Sequence, residues 1–213
     1  MTGLEERWHQ RWERLREWLR LGVIYIPAGE RLWRNYSEAG RVYHDAGHVL
    51  YCLEKFDTYP SAAGQSDEVE VALWYHDAVY DAEAEGGLNE AMSARNFWRE
   101  FGDLARGQID VERVERLILA TRHQGEPQSD EEALIRDIDL AILGEPAGRY
   151  DQYAADVRRE YAHVGDEAWR VGRADVLKGF LARKKIYFTR HFLKLSEKDA
   201  RANLVRELEV LLG

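Results

Sequence analysis

The sequence has little cysteine and proline, one and four residues among 213, and it contains no long run of apolar side chains. A single cysteine, Cys52, excludes an internal disulfide framework. Because a membrane-spanning helix needs about 20 consecutive apolar residues, no such helix is expected. No charged segment followed by an apolar stretch opens the chain, as it would in a secretion signal. These absences predict a cytoplasmic enzyme or binding protein with no membrane partner.

Basic residues are also few relative to acidic ones. The chain has 30 Lys and Arg against 39 Asp and Glu, which gives a formal net charge of −9. Proteins that bind DNA or RNA usually carry a basic excess, because contacts to phosphates dominate their affinity. Duplex nucleic acid is therefore not expected as a partner. A small anion remains acceptable, since a bound divalent metal reverses the local field.

The chain does contain helical periodicity. Trp8, Trp12, Trp18 and nearby leucines recur at helical spacing, which predicts a helix over residues 3–21 with its aromatic side chains in packing. Similar patterns predict helices over residues 37–59, 67–80, 89–101, 111–123, 131–143, 150–163, 170–183 and 196–212. No segment alternates between apolar and polar residues as a strand would. We predict an all-α fold, a helical bundle of roughly eight to ten helices.

Length and composition fit one domain. Hydrophobic residues make up 45% of the chain, which is ample for a core. We expect residues 1–213 to form a single helical domain. In it, residues 1–30 form an N-terminal helix and loop that pack on the core.

Imidazole and carboxylate groups recur in four short segments. The segments contain His44 and His48, His76 and Asp77, His123, and Asp137 and Asp139. Imidazole nitrogen suits Zn, Fe, Ni or Co, and carboxylate oxygen also suits Mn or Mg. Two histidines and two aspartates that converge would form a mixed site with open positions for water and substrate, as in hydrolytic metal sites.

Each of these motifs also has a plainer interpretation. Two histidines four residues apart on one helical face are more often surface or core residues than ligands. The pair His76-Asp77 is a weak signal alone, but it follows the apolar run 71–75. An ionisable pair in a buried helix is costly without a partner or a metal. Together and in this order, the segments favour a metal site.

These residues resemble the HD superfamily of metal-dependent phosphohydrolases, whose ligands are a His, an adjacent His-Asp pair and a distant Asp. A subgroup of small bacterial proteins, known as predicted HD phosphohydrolases, is similar over residues 30–210. The similar segments are Arg41-x-Tyr43-His44, Trp74-Tyr75-His76-Asp77, Asn89-Glu90-x-x-Ser93-Ala94, Asp137-x-Asp139-Leu140-Ala141-Ile142-Leu143-Gly144 and Ala200-Arg201-x-Asn203-Leu204. The segment 43–48 also resembles the His-Asn-x-x-His segment of cyclic-nucleotide phosphodiesterases, in which the first His protonates the leaving group.

By position, the resemblance implies an HD-domain-like fold and one divalent metal ion (Mn, Ni, Co, Fe, Zn or Mg). The implied ligands are His48, His76, Asp77 and Asp139, and His44 is the implied general acid. Asp137 would point elsewhere on a helix, since two residues turn the direction by about 200°. It is expected to support the site without binding the metal.

Three further residues are candidates with open alternatives. Glu90 could act as general base or bind a second metal, or it could cap a helix. Arg41 could clamp a substrate phosphate, or pair with a site carboxylate. His123 could hydrogen-bond a phosphate oxygen or complete a second metal site, or it could be a histidine favoured by the C-terminal dipole of its helix.

The sequence departs from the family at two points. HD nucleotidases carry an acidic residue a few positions after the His-Asp pair, whereas here Ala78-Val79-Tyr80 precede Asp81. The consecutive His pair of the two-metal enzymes is also absent. These departures favour a single catalytic metal and leave the general base open.

We therefore predict a phosphohydrolase that acts on a small phosphorylated molecule, preferably a nucleotide, through metal-activated water and His44. Two alternatives stay open. A metal- or ligand-binding HD protein without turnover is supported by the missing acidic residue. A di-iron oxygenase ranks lower, because it needs more ligands than the chain offers. A homodimer is compatible with the sequence.

Overall fold

The computed structural model describes residues 3–60, 64–84, 87–102 and 108–213. Within these ranges the chain forms eleven α-helices and two short 3-10 helices, and it has no strand. The α-helices are α1 (Gly3–Trp18), α2 (Ile26–Tyr36), α3 (Ala46–Thr58), α4 (Asp67–Tyr75), α5 (Leu88–Phe101), α6 (Val111–Ala120), α7 (Asp130–Asp139), α8 (Ala147–Glu160), α9 (Asp166–Ala182), α10 (Arg190–Leu195) and α11 (Glu197–Leu212). The predicted all-α class is confirmed.

Several predicted boundaries were wrong where a cap or a turn intervenes. Helix α3 begins at Ala46 because the Asp45 carboxylate accepts hydrogen bonds from the amides of Gly47 and His48, at 2.7 and 3.1 Å. Such a side chain satisfies amides that have no partner within the helix. His44 therefore precedes α3 and does not share a helical face with His48, contrary to the prediction.

Two other boundaries also differ from the sequence patterns. Helix α4 ends at Tyr75, so His76 and Asp77 follow it. Helix α7 ends at Asp139 and continues as a 3-10 helix over Leu140–Gly144. Helices α2 and α10 were not predicted. Both are short, and Pro27 at the start of α2 had been interpreted as part of a loop.

Four aromatic side chains from α1, α2 and α4 form one buried group, which we call the aromatic core: Trp8, Trp12, Tyr36 and Trp74. The rings of Trp8 and Trp74 meet edge to face with centroids 4.6 Å apart, and those of Trp12 and Trp74 are 5.2 Å apart. Such pairs add about 0.5–1.5 kcal/mol to the gain from burial. Trp18 is 72% exposed, so the packing prediction was wrong for that residue.

The aromatic core depends on a close approach between α1 and α2. The Trp8 indole N–H donates to the Gly29 carbonyl at 3.0 Å. A Cβ atom at position 29 would collide with the indole ring of Trp12. Glycine at this position therefore allows the two helices to pack.

Helix α4 is the central element of the fold. Residues 71–75 are all buried, and α4 packs against α3, α5, α6 and α7. Trp74 belongs to the aromatic core, while His76 and Asp77 follow the last turn. None of the described helices is long and apolar enough to cross a membrane.

Candidate metal centre and its pocket

The four predicted ligands come together in space, and we call them the histidine–aspartate cluster: His48, His76, Asp77 and Asp139. They belong to α3, to the residues after α4 and to the end of α7. The His48 Nε2 atom lies 3.1 Å from His76 Nε2, 3.2 Å from Asp139 Oδ1 and 3.7 Å from Asp77 Oδ2. The His76 Nε2 atom lies 3.3 Å from Asp77 Oδ2 and 3.5 Å from Asp139 Oδ1.

These spacings suit donors around one ion. Nitrogen and oxygen ligands lie about 2.0–2.2 Å from a bound metal, so neighbouring donors are about 3–3.6 Å apart. His76 Nδ1 lies 2.9 Å from the Leu73 carbonyl, which can only accept, so Nδ1 carries a proton and Nε2 is the nitrogen left to bind a metal. That arrangement is common in metal-binding histidines. Three of these residues, His48, His76 and Asp139, belong to a group that could hold a metal ion.

Cys52 is a further member of this region that the sequence did not indicate as a donor. Donor atoms of His48, Cys52, His76 and Asp139 all lie within 4.8 Å of one another, and this group could hold a metal ion. The sulfur, however, is 3.8 Å from His48 Nδ1 and 3.7 Å from Nε2. The sulfur is thus nearly equidistant from the two nitrogens and is not directed at Nε2 alone. Its position one helical turn after His48 was the available signal.

The cluster is strongly coupled electrostatically. Burial by itself raises the pKa of Asp139, but hydrogen bonds from His123, His48 and His76 hold that pKa well below its usual range. Burial lowers the pKa of His76, but the Asp77 charge and the hydrogen bond to Asp139 raise it well above its usual range. Buried carboxylates thus require positive charge nearby, which a cation would supply.

His44 lies beside the cluster in a different arrangement. Its Nδ1 lies 2.7 Å from Oε2 of Glu160, and the Tyr80 ring stacks on the imidazole with centroids 4.3 Å apart. The other Glu160 oxygen accepts the amides of residues 42, 43 and 44 at 2.8–2.9 Å. Burial lowers the pKa of His44, but the Glu160 hydrogen bond and the Asp77 charge raise it above its ordinary value.

Glu160 was missed in the sequence. It lies 116 residues from His44 at the end of α8, and nothing in its neighbourhood distinguishes it from a solvated glutamate. In the structure it is 6% exposed. A buried carboxylate that binds three consecutive amides fixes the position of the segment before α3, and with it the orientation of His44.

His123 contacts the cluster through Asp139. It follows α6 with a φ of +55°, an uncommon conformation for a residue with a side chain. Its Nε2 lies 2.7 Å from Asp139 Oδ2, and its Nδ1 is buried without a partner. Backbone strain of this kind is frequent at functional sites. Its predicted contact with a substrate phosphate stays a prediction.

Glu90 contributes an unsatisfied oxygen near the same place. Its Oε2 is buried without a hydrogen-bond partner, and the nearest cation is Arg122 Nε at 4.0 Å, which also has none. Buried polar groups are nearly always hydrogen-bonded, so exceptions call for an explanation. A water molecule or substrate group at this position would supply the missing partners.

Arg41 is engaged with the backbone. Its guanidinium donates to the carbonyls of His44, Asp77 and Ala78 at 3.1, 2.7 and 3.2 Å, and its side chain is only 3% exposed. Its ion-pair partner is Glu38, not a carboxylate of the cluster. This geometry favours a bracing role for Arg41, whereas its predicted phosphate contact stays a prediction.

Asp137 points away from the cluster, as expected. Its carboxylate accepts the amides of Phe188 and Thr189 at 2.7–3.0 Å. Burial raises the pKa of Asp137 to about 6, although these hydrogen bonds oppose the shift. The residue anchors the segment before α10 and leaves Asp139 to face the cluster.

A cavity of about 220 Å³ opens beside the cluster, and we call it the cluster pocket. Five of the residues that line it are His44, Asp77, Glu90, His123 and Asp139, and others are Tyr153, Arg173, Val176 and Phe180. Arg173 is held by Glu207, with Nε 2.7 Å from Oε1. Five predicted site residues therefore face one space, and Arg173 was not foreseen.

Comparisons with known proteins add no identification. No family model matches the chain, and neither a curated protein nor a solved structure matches it.

Proposed function

We propose that this protein is a metal-dependent phosphohydrolase of the HD type that acts in the cytoplasm on a compact phosphate ester, preferably a mononucleotide. One observation supports this most directly. Two carboxylates of the four-residue cluster, Asp77 and Asp139, line a pocket that also contains a histidine oriented by a buried glutamate. When bound, a single divalent metal would polarise a phosphoryl oxygen and lower the pKa of water.

His44 is proposed as the general acid. Because its Nδ1 is occupied by Glu160, Nε2 is the atom left to protonate the leaving oxygen. The raised pKa keeps the imidazole protonated closer to neutral pH, as a general acid requires. Glu160 is a positioning residue, since it acts through His44.

The remaining roles follow from the pocket walls. Glu90 has a free carboxylate oxygen with which to accept a proton from water, and His123 has a free Nδ1 to meet a phosphate oxygen. Arg173 is the single guanidinium among the residues lining the cluster pocket, but its charge is paired with Glu207, so we assign it no phosphate contact. Ligand pockets usually measure about 300–1,000 Å³, so a smaller cavity favours a compact ester.

The test is turnover of phosphate esters by the metal-loaded protein. Mono-, di- and cyclic nucleotides and sugar phosphates would be assayed with Mn, Co, Ni, Zn and Mg. In His44→Ala, turnover is expected to fall about 100- to 10,000-fold with metal content unchanged. The loss should be smaller for p-nitrophenyl phosphate, whose leaving group needs less protonation.

His163→Ala is the matched control, since His163 is exposed at the end of α8 and does not line the pocket. It should keep full turnover. Loss of metal in His44→Ala would make His44 a ligand. Metal binding without turnover of any ester would favour the alternative of a metal- or ligand-binding HD protein.

A further inference from the structure

A second cavity, of about 1020 Å³, is lined in part by residues 78–80, which directly follow Asp77 in the chain. Its walls are the first 3-10 helix (Val23–Tyr25), α2, residues 78–80 and α5. None of the four cluster residues lines it. We call it the arginine cavity, because three arginines contribute to its walls: Arg31, Arg34 and Arg99.

The acidic side chains of this cavity are already paired. The Glu100 carboxylate accepts from Arg31 Nε at 2.7 Å and from the Tyr75 hydroxyl at 2.6 Å. The Glu38 carboxylate lies 3.4 Å from Arg41 Nε, and Arg41 is not part of the walls. Neither carboxylate is therefore left to neutralise the remaining arginines.

Among the described residues, no carboxylate forms an ion pair with Arg34 or Arg99, the other two arginines of the walls. Within the same ranges, Arg99 donates to a neutral group, the Asn96 amide oxygen, at 2.6 Å. In a chain with a net charge of −9, a cavity with uncompensated positive charge is a local exception. It would attract an anion.

The other wall residues indicate what the anion carries. Ile24 is 61% exposed at the rim, and Tyr25 is buried, with a hydroxyl that has no partner. Guanidinium groups bind phosphate through paired hydrogen bonds. The cavity volume of about 1020 Å³ lies at the upper end of the range for pockets that bind drug-sized ligands. We propose that the arginine cavity binds a phosphorylated small molecule of nucleotide size with an apolar or planar body.

A ligand in the arginine cavity would lie next to the cluster pocket. Tyr80 lines both spaces, and its ring stacks on the His44 imidazole. The Ala78 carbonyl is held by Asn35 Nδ2 at 3.1 Å and by Arg41 at 3.2 Å. A ligand that contacts residues 78–80 thus touches the segment that carries Asp77. The binding itself does not depend on the proposed hydrolysis.

The experiment is calorimetric titration of the full chain, freed of metal by chelation, with ADP, pyrophosphate and adenosine. ADP should bind with measurable heat and adenosine should not. The double variant Arg34→Glu/Arg99→Glu should weaken ADP binding at least about tenfold, since each lost charge-assisted contact has about that effect. Arg34→Gln alone covers the case in which the double variant does not fold.

Two controls locate the binding site. Arg95→Glu makes the same charge change on α5 outside the cavity walls and should bind ADP as the wild type does. His123→Ala changes the cluster pocket at a residue that does not line the arginine cavity, and it should also leave ADP binding unchanged. No ADP heat at millimolar concentration, or equal weakening by Arg95→Glu, would overturn the proposal. If pyrophosphate binds as tightly as ADP, the part of the proposal that gives the ligand an apolar or planar body is wrong.

Discussion

The aromatic core and the histidine–aspartate cluster border the same helix, α4, but they meet opposite physical demands. In the aromatic core, Trp8 and Trp12 fill volume, and their indole N–H groups donate to backbone carbonyls. Beside the cluster, Glu90 Oε2 and His123 Nδ1 are buried without partners. The aromatic core also contains one such group, the Trp74 indole N–H, but its space is filled by aromatic rings, whereas Glu90 and His123 line a pocket that a ligand, water or ion could enter. Stability and binding should therefore respond to different substitutions.

The largest effect on stability is expected when a side chain of the aromatic core is truncated. Trp8→Ala should lower the free energy of unfolding by about 3–5 kcal/mol, because a fully buried indole leaves a cavity. Urea denaturation measures this loss. Stabilisation by added metal should persist in the variant, since Trp8 does not contact the cluster. A loss below about 1 kcal/mol would mean that the core tolerates the gap.

The complementary change removes a carboxylate from the cluster. At a metal concentration 100 times the Kd, binding should stabilise the wild type by about 2.7 kcal/mol. Asp77→Ala should abolish most of this gain, and metal analysis should find the protein largely empty while its helical circular dichroism is retained. A variant that still gains stability from metal would show that Asp77 is not a ligand.

Glu160→Gln tests the residue that orients His44. The amide oxygen can still accept backbone amides, but the negative charge that raises the His44 pKa is lost. A general acid must be protonated, so the high-pH limb of the pH–rate profile should move to lower pH. An unchanged profile, with full activity, would separate Glu160 from the function of His44.

The smallest effect is expected at Cys52. If its thiol lies against the His48 ring and is not a ligand, Cys52→Ala should keep its metal affinity within about tenfold. The Co²⁺-loaded wild type should also lack the intense near-ultraviolet band of a sulfur–cobalt bond. That band, if present in the wild type and absent from the variant, would make the thiol a ligand and favour softer metals.

Much of this arrangement could be predicted from sequence, and the failures have physical causes. Apolar periodicity located α1 and α4, and the order of His and Asp residues selected the members of the cluster. His44 was wrongly predicted to lie inside α3, because the helix begins only after Asp45, whose carboxylate caps it. The role of Glu160 could not be predicted, because its partners lie 80 or more residues away in the sequence and its own helix is polar on most faces. A long-range contact made by a single polar residue does not change the hydrophobic periodicity of the sequence, so it cannot be predicted from that pattern.

The contact between Gly29 and Trp12 has a consequence for how such chains can diverge. Position 29 has no room for a side chain while an indole occupies position 12. Related sequences should therefore vary at these two positions together, with a smaller residue at 12 wherever 29 is not glycine. Within this pair, one substitution is accepted only after the other, so the order of changes along a lineage should be constrained.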